Sequence, residues 1–99
     1  IPIMQQFGFP IIFDATHSNQ LPGGQGKTTG GMRDMVPYLA KAAVAVGCNG
    51  LFFETHPNPD QALSDGANSI PLKSFEAHLK QWLAIDQLVK SSVSSSAMA

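Results

Sequence analysis

Apolar positions cluster in blocks along the chain, and the spacing inside each block differs. Residues 9–14, Phe9-Pro10-Ile11-Ile12-Phe13-Asp14, form a continuous apolar run without period-two alternation. That pattern predicts a strand buried on both faces, as in a parallel sheet. Residues 32–46 carry Val36, Leu39, Ala40, Ala43, Val44 and Val46 at spacings of three and four, which predicts an amphipathic helix. Pro37 belongs in a first turn, so regular helix should begin near Val36, with Gly47 as its C-cap. Gly50-Leu51-Phe52-Phe53-Glu54 reads as a second buried strand closed by an acid. Residues 72–90 predict a second amphipathic helix, with Phe75, Leu79, Trp82, Leu83, Leu88 and Val89 on one side. Residues 1–8 fit the tail of a preceding helix. The serine-rich residues 91–99 predict a disordered tail beyond a single folded unit over 1–90.

The resulting order is strand, long loop, helix, strand, long loop, helix. This βαβα unit predicts parallel strands joined by a right-handed crossover. Such strands need neighbours on their edges and faces. The long loops follow the strands, while the connection after the first helix is short. That asymmetry is the (β/α)8-barrel pattern, in which loops at the strand C-termini build the active site. A complete barrel takes roughly 250 residues, so 99 residues predict a portion of one. The opening Ile1-Pro2-Ile3-Met4 reads as a chain entered in mid-sequence rather than as a signal peptide.

Composition narrows the function class. Charged residues are only 13% of the chain, against about a quarter in an ordinary domain, which suits a segment covered on several sides. The net charge of −1 offers no basic surface for nucleic acid or membrane. A single cysteine, Cys48, rules out an internal disulfide and favours an intracellular, cytoplasmic setting. Cys48 reads as a small apolar residue at a helix end, since no cation adjoins it in sequence.

The polar residues concentrate where the strands end. Asp14 closes the first strand, and His17 lies at its mouth. Glu54 closes the second, with His56 just beyond and Asp65 in the following loop. Adjacent strands lie about 5 Å apart, so these residues should gather at one face. A nitrogen ligand and two carboxylates there can bind a borderline divalent cation. They can equally act as base and acid around a substrate, or simply cap loops. His56, in a His-Pro turn, reads as structural. Leu21-Pro22-Gly23-Gly24-Gln25-Gly26-Lys27-Thr28 imitates a P-loop, but the required first glycine is Leu21 and no helix opens at Lys27. The stretch predicts a mobile glycine-rich lid instead. Phe75 and Trp82 read as core. Arg33 has two readings, an anion ligand near the lid or the partner of Asp34 or another carboxylate.

Several of these segments, taken in order, resemble 3-deoxy-D-manno-octulosonate 8-phosphate synthases. They are Phe13-Asp14-Ala15-Thr16-His17-Ser18, Gln20-Leu21-Pro22-Gly23-Gly24, Gly30-Gly31-Met32-Arg33, Ala42-Ala43-Val44-Ala45-Val46-Gly47, Glu54-Thr55-His56-Pro57 and Ala62-Leu63-Ser64-Asp65. The resemblance implies the C-terminal third of a TIM barrel, strands seven and eight with their helices. It implies condensation of phosphoenolpyruvate with D-arabinose 5-phosphate, for the lipopolysaccharide core, by a homotetramer. It implies that His17, Glu54 and Asp65 are metal ligands, with His17 and Asp65 catalytic. The family's fourth ligand is a cysteine on the first strand; Cys48 is not its equivalent. Metal-independent members carry asparagine there. Ser64-Asp65-Gly66-Ala67-Asn68-Ser69 looks more like the metal-dependent branch, which implies Zn, Fe or Mn. Gln20 and Thr29 fall at substrate-binding positions. The isolated segment is expected to be inactive. The alternatives are the related synthase that makes a seven-carbon product, and a non-catalytic barrel fragment acting in assembly.

Overall fold

A computed structural model describes residues 1–19 and 33–98 of the chain. The glycine-rich stretch expected as a lid lies outside the described residues, and so do Gln20 and Thr29.

The chain opens with a single helical turn, α1 (Pro2–Gln5), and reverses at Gly8, whose φ is +86°. Strand β1 (Ile12–Asp14) follows, then helix α2 (Val36–Val46) and strand β2 (Gly50–Phe52). β1 and β2 pair in parallel, with Ile12 opposite Gly50, Phe13 opposite Leu51 and Asp14 opposite Phe52. The expected βαβ order is therefore present. Both strands are shorter than the apolar runs that announced them. Pro10 has no N–H to give a ladder, and at Ile11 the pairing is made partly by a side chain. The Asn49 and Gly50 amides donate to the Ile11 carbonyl at 2.9 and 3.3 Å, and the Ile11 amide donates to Asn49 Oδ1 at 2.8 Å.

The expectation that both faces of these strands are buried is corrected. Ile12 is 59% and Phe52 46% exposed. A sheet of two strands has no neighbour to cover them, and among the described residues neither outer edge is paired.

Helix α2 begins at Val36 with Pro37 in its first turn, where the missing N–H costs nothing. Gly47 ends it in the left-handed region (φ 107°), donating to the carbonyls of Ala43 and Val44. A side chain at that φ would be strained. Val36, Ala40, Ala43 and Val44 are buried, while Val46 faces outward.

Two short strands appear where only a loop was expected. β3 (Thr55–His56) and β4 (Ile70–Pro71) pair in parallel. The Ile70 amide donates to the Glu54 carbonyl at 3.0 Å, and Thr55 Oγ1 donates to the Ile70 carbonyl at 2.9 Å. Between them run two 3₁₀ turns, Pro59–Gln61 and Gly66–Asn68.

The last helix, α3 (Phe75–Met98), packs on α2. Its start is delayed by a 3₁₀ turn over Leu72–Ser74. Its bounds extend through the serine run, which contains no glycine or proline to break a helix. Trp82 is 2% exposed and lies edge-on to Phe53 at 5.2 Å; Phe53 also meets Phe75 at 5.3 Å. Leu83 and Leu88, expected on the core side, are exposed. Leu88 lies about 120° around the helix from Trp82 at 3.6 residues per turn. Ile85 packs against the core in their place.

Candidate metal and catalytic site

The site is built on two backbone devices. The first is the turn after β1. Asp14 Oδ1 accepts the Thr16 amide at 3.0 Å and the His17 amide at 2.9 Å, which bends the chain into the 3₁₀ turn His17–Asn19. The second is Asp65, the only non-glycine residue with positive φ among those described (54°). Aspartate tolerates this region better than most residues. The Asn68 amide and the Ser69 hydroxyl both donate to the Asp65 carbonyl, and together they hold the turn. Gly66 is required beside it, because a Cβ there would collide with the Pro59 carbonyl oxygen.

These devices bring the side chains together. His17 stands between two carboxylates: its Nδ1 is 2.8 Å from Asp14 Oδ2 and its Nε2 is 3.0 Å from Asp65 Oδ2. The Phe52 ring stacks near the imidazole, with centroids 6.0 Å apart. Glu54 arrives from the end of β2 and shares a hydrogen bond with Asp65. Its own amide donates to the buried Thr16 Oγ1 at 2.7 Å, tying the ends of the two strands together. One donor atom each from His17, Glu54 and Asp65 can be chosen so that all lie within 4.8 Å of one another.

The electrostatics follow from this packing. The hydrogen bonds to Asp65 and then to Asp14 raise the His17 pKa to about 9. Burial pushes the Asp14 carboxyl upward, but the hydrogen bonds from the His17 amide and ring outweigh it and leave the group below its ordinary value. Glu54 is raised, first by burial and then by the charge and hydrogen bond of Asp65. Two close carboxyls resist ionising together. A cation between them would relieve that repulsion and displace the imidazole proton. One imidazole nitrogen and two carboxylates suit a borderline divalent ion with positions left open.

Other sequence expectations resolve differently. His56 does not join the group; its Nδ1 accepts the Asn58 amide at 2.9 Å, in keeping with a turn role. Arg33 takes its carboxylate reading, with Asp60 as partner at 3.0 Å. The same nitrogen donates to the Gly66 carbonyl at 2.7 Å, so Arg33 also braces the turn that carries Asp65. Cys48 is buried, and burial raises its thiol pKa. Sequence reasoning missed the roles of Thr16, Phe52 and the second oxygen of Asp14. The spacing Asp14-x-Thr16-His17 did carry a signal, since aspartate side chains habitually accept amides two and three residues on.

Among the described residues, no helix is long and apolar enough to cross a membrane. Residues 1–91 match the model of the DAHP synthetase I family. The chain is 61% identical over 90 residues to a 2-dehydro-3-deoxyphosphooctonate aldolase of Variovorax paradoxus, covering 91% of this chain and 32% of the relative. It is 63% identical over 91 residues to the protein of that name from Azoarcus sp., covering 92% and 33%. It thus spans about a third of the length of these curated relatives. A truncated 3-deoxy-D-arabino-heptulosonate 7-phosphate synthase from Thermotoga maritima superimposes with a TM-score of 0.65 at 30% identity, over 92% of this chain and 30% of that one. By the family match and by its parallel α/β architecture, the chain belongs to the DAHP synthetase I family.

Proposed function

We propose that this chain forms the seventh and eighth strands of a (β/α)8-barrel synthase. The enzyme would condense phosphoenolpyruvate with D-arabinose 5-phosphate to give 3-deoxy-D-manno-octulosonate 8-phosphate and phosphate. The convergence of His17, Glu54 and Asp65 within 4.8 Å at the ends of parallel strands carries this reading. The identity to 2-dehydro-3-deoxyphosphooctonate aldolases supports the choice of product. His17, Glu54 and Asp65 would hold a divalent metal, Zn, Fe or Mn. When bound, it would polarise a substrate oxygen. His17 and Asp65 would face the reacting atoms. Gln20 and Thr29 would contact the substrates. The enzyme would be cytoplasmic and tetrameric, and the isolated segment inactive.

A chimera tests the reading. This chain is substituted for the matching 91 residues of the Azoarcus relative, and release of phosphate from the two substrates is assayed. Activity is expected, and His17→Ala should abolish it. A His17→Ala chimera as active as its parent would refute the assignment. The structural likeness to a heptulosonate synthase favours a second reading with a four-carbon sugar phosphate. Preference of the chimera for erythrose 4-phosphate would support that reading instead.

A further inference from the structure

We infer that Asp14 is a positioning residue: its carboxylate holds the proton of His17 on Nδ1 and so reserves Nε2 for a metal ion. The inference deepens the proposed metal reading and rests on it.

The two oxygens of Asp14 do different jobs. Oδ1 is occupied by the Thr16 and His17 amides, which fixes the side chain rigidly to the turn. Oδ2 is left for the imidazole, 2.8 Å from Nδ1. A carboxylate only accepts hydrogen bonds, so each imidazole nitrogen that faces one carries a proton in the metal-free site. A cation shared with Asp65 and Glu54 displaces the proton on Nε2, while Asp14, which is outside that group, keeps the one on Nδ1. On the opposite edge, Nε2 points toward Asp65 and the Glu54 carboxyl group that would share a cation with it. The Phe52 ring beside the imidazole adds a third restraint on its plane. A metal-ligating imidazole generally donates its other N–H to a carboxylate, carbonyl or water. Loss of that partner typically weakens metal binding 10–100-fold.

Asp14→Asn separates positioning from turn formation. The amide oxygen can still accept the two backbone N–H groups. Its NH₂ then faces Nδ1 as a donor, which drives the ring proton to Nε2 and removes the lone pair needed by the metal. The experiment uses the full chain, ¹⁵N-labelled at histidine, followed by long-range ¹H–¹⁵N spectra during Zn²⁺ titration. The native chain should lose the Nε2 proton and keep the Nδ1 proton. Asp14→Asn should bind Zn²⁺ about 10–100-fold more weakly with unchanged circular dichroism.

Metallation at Nδ1, or affinity within twofold of native in Asp14→Asn, overturns the inference. If the native chain binds no Zn²⁺, the titration is repeated on the chimera with the Azoarcus relative, which supplies the rest of the barrel. No Zn²⁺ there either means that the metal reading itself fails. The tautomer of the neutral ring, read from the same long-range spectra of the native chain, then decides the inference separately. A proton on Nδ1 upholds the tautomer assignment and a proton on Nε2 overturns it. If Asp14→Asn does not fold, the native spectra decide alone by the same criterion.

Discussion

Thr16 and Glu54 are joined across the mouth of the two strands. The Glu54 amide donates to Thr16 Oγ1 at 2.7 Å, and Thr16 is fully buried. Thr16→Val keeps the shape and removes the acceptor. An amide left without a partner costs about 1–3 kcal/mol when buried, and the partly buried Glu54 amide should lose about 1 kcal/mol. Urea unfolding should show that loss, and the Zn²⁺ affinity of the site should fall with it because Glu54 is no longer fixed. An unchanged unfolding midpoint would contradict the role given to this bond.

The histidine–aspartate cluster makes stability depend on pH from both sides. His17 is raised from 6.5 to about 9 on folding. Its contribution is fully present below 6.5 and is lost as pH rises through 9. Asp14 is lowered from 3.8, so its contribution is present above 3.8 and is lost as pH falls through the folded value. Urea titrations across this range should show the cluster contributing fully between those ordinary values and declining above. His17→Ala should flatten the alkaline limb. Zn²⁺ affinity should run the opposite way and rise between about pH 6 and 9, because the metal must displace the His17 proton.

Gly66→Ala tests the turn that presents Asp65. The added methyl meets the Pro59 carbonyl oxygen, and the backbone must move to admit it. Overpacking of this kind costs about 1–3 kcal/mol. The site should lose metal affinity by more than global stability alone explains, as isothermal titration below the unfolding temperature would record.

Trp82→Ala removes the aromatic ring against which Phe53 packs. Such truncations cost about 3–5 kcal/mol. For a chain of 99 residues that is a large part of the usual stability. Circular dichroism should show loss of cooperative unfolding, whereas Leu88→Ala, at a side chain 69% exposed, should change it little.

The sequence was readable wherever a pattern ran long enough to have a period. Helix α2 and its Gly47 cap followed from spacing, and so did the order of strands and helices. His17, Glu54 and Asp65 could be brought together because strand ends in a parallel sheet share one face. The β3–β4 ladder could not be read, since two-residue strands containing Pro71 have no period and Ile70 pairs through the residues next to Glu54. The bracing of Gly66 by Arg33 links residues 33 apart in sequence, and nothing local announces it. Leu88 misled because its hydrophobicity was counted without its angle on the helix.

The two-stranded sheet has a further consequence for behaviour at high concentration. Among the described residues its outer edges are unpaired, β1 carries the exposed Ile12, and the exposed Phe7 and Phe9 precede it in sequence. Backbone donors and acceptors in an apolar setting are a template for another strand. Dilute chain should remain single, while concentrated chain should add edge to edge. Light scattering should therefore rise more steeply than in proportion to concentration, and Ile12→Lys, which places a charge on β1, should suppress that rise.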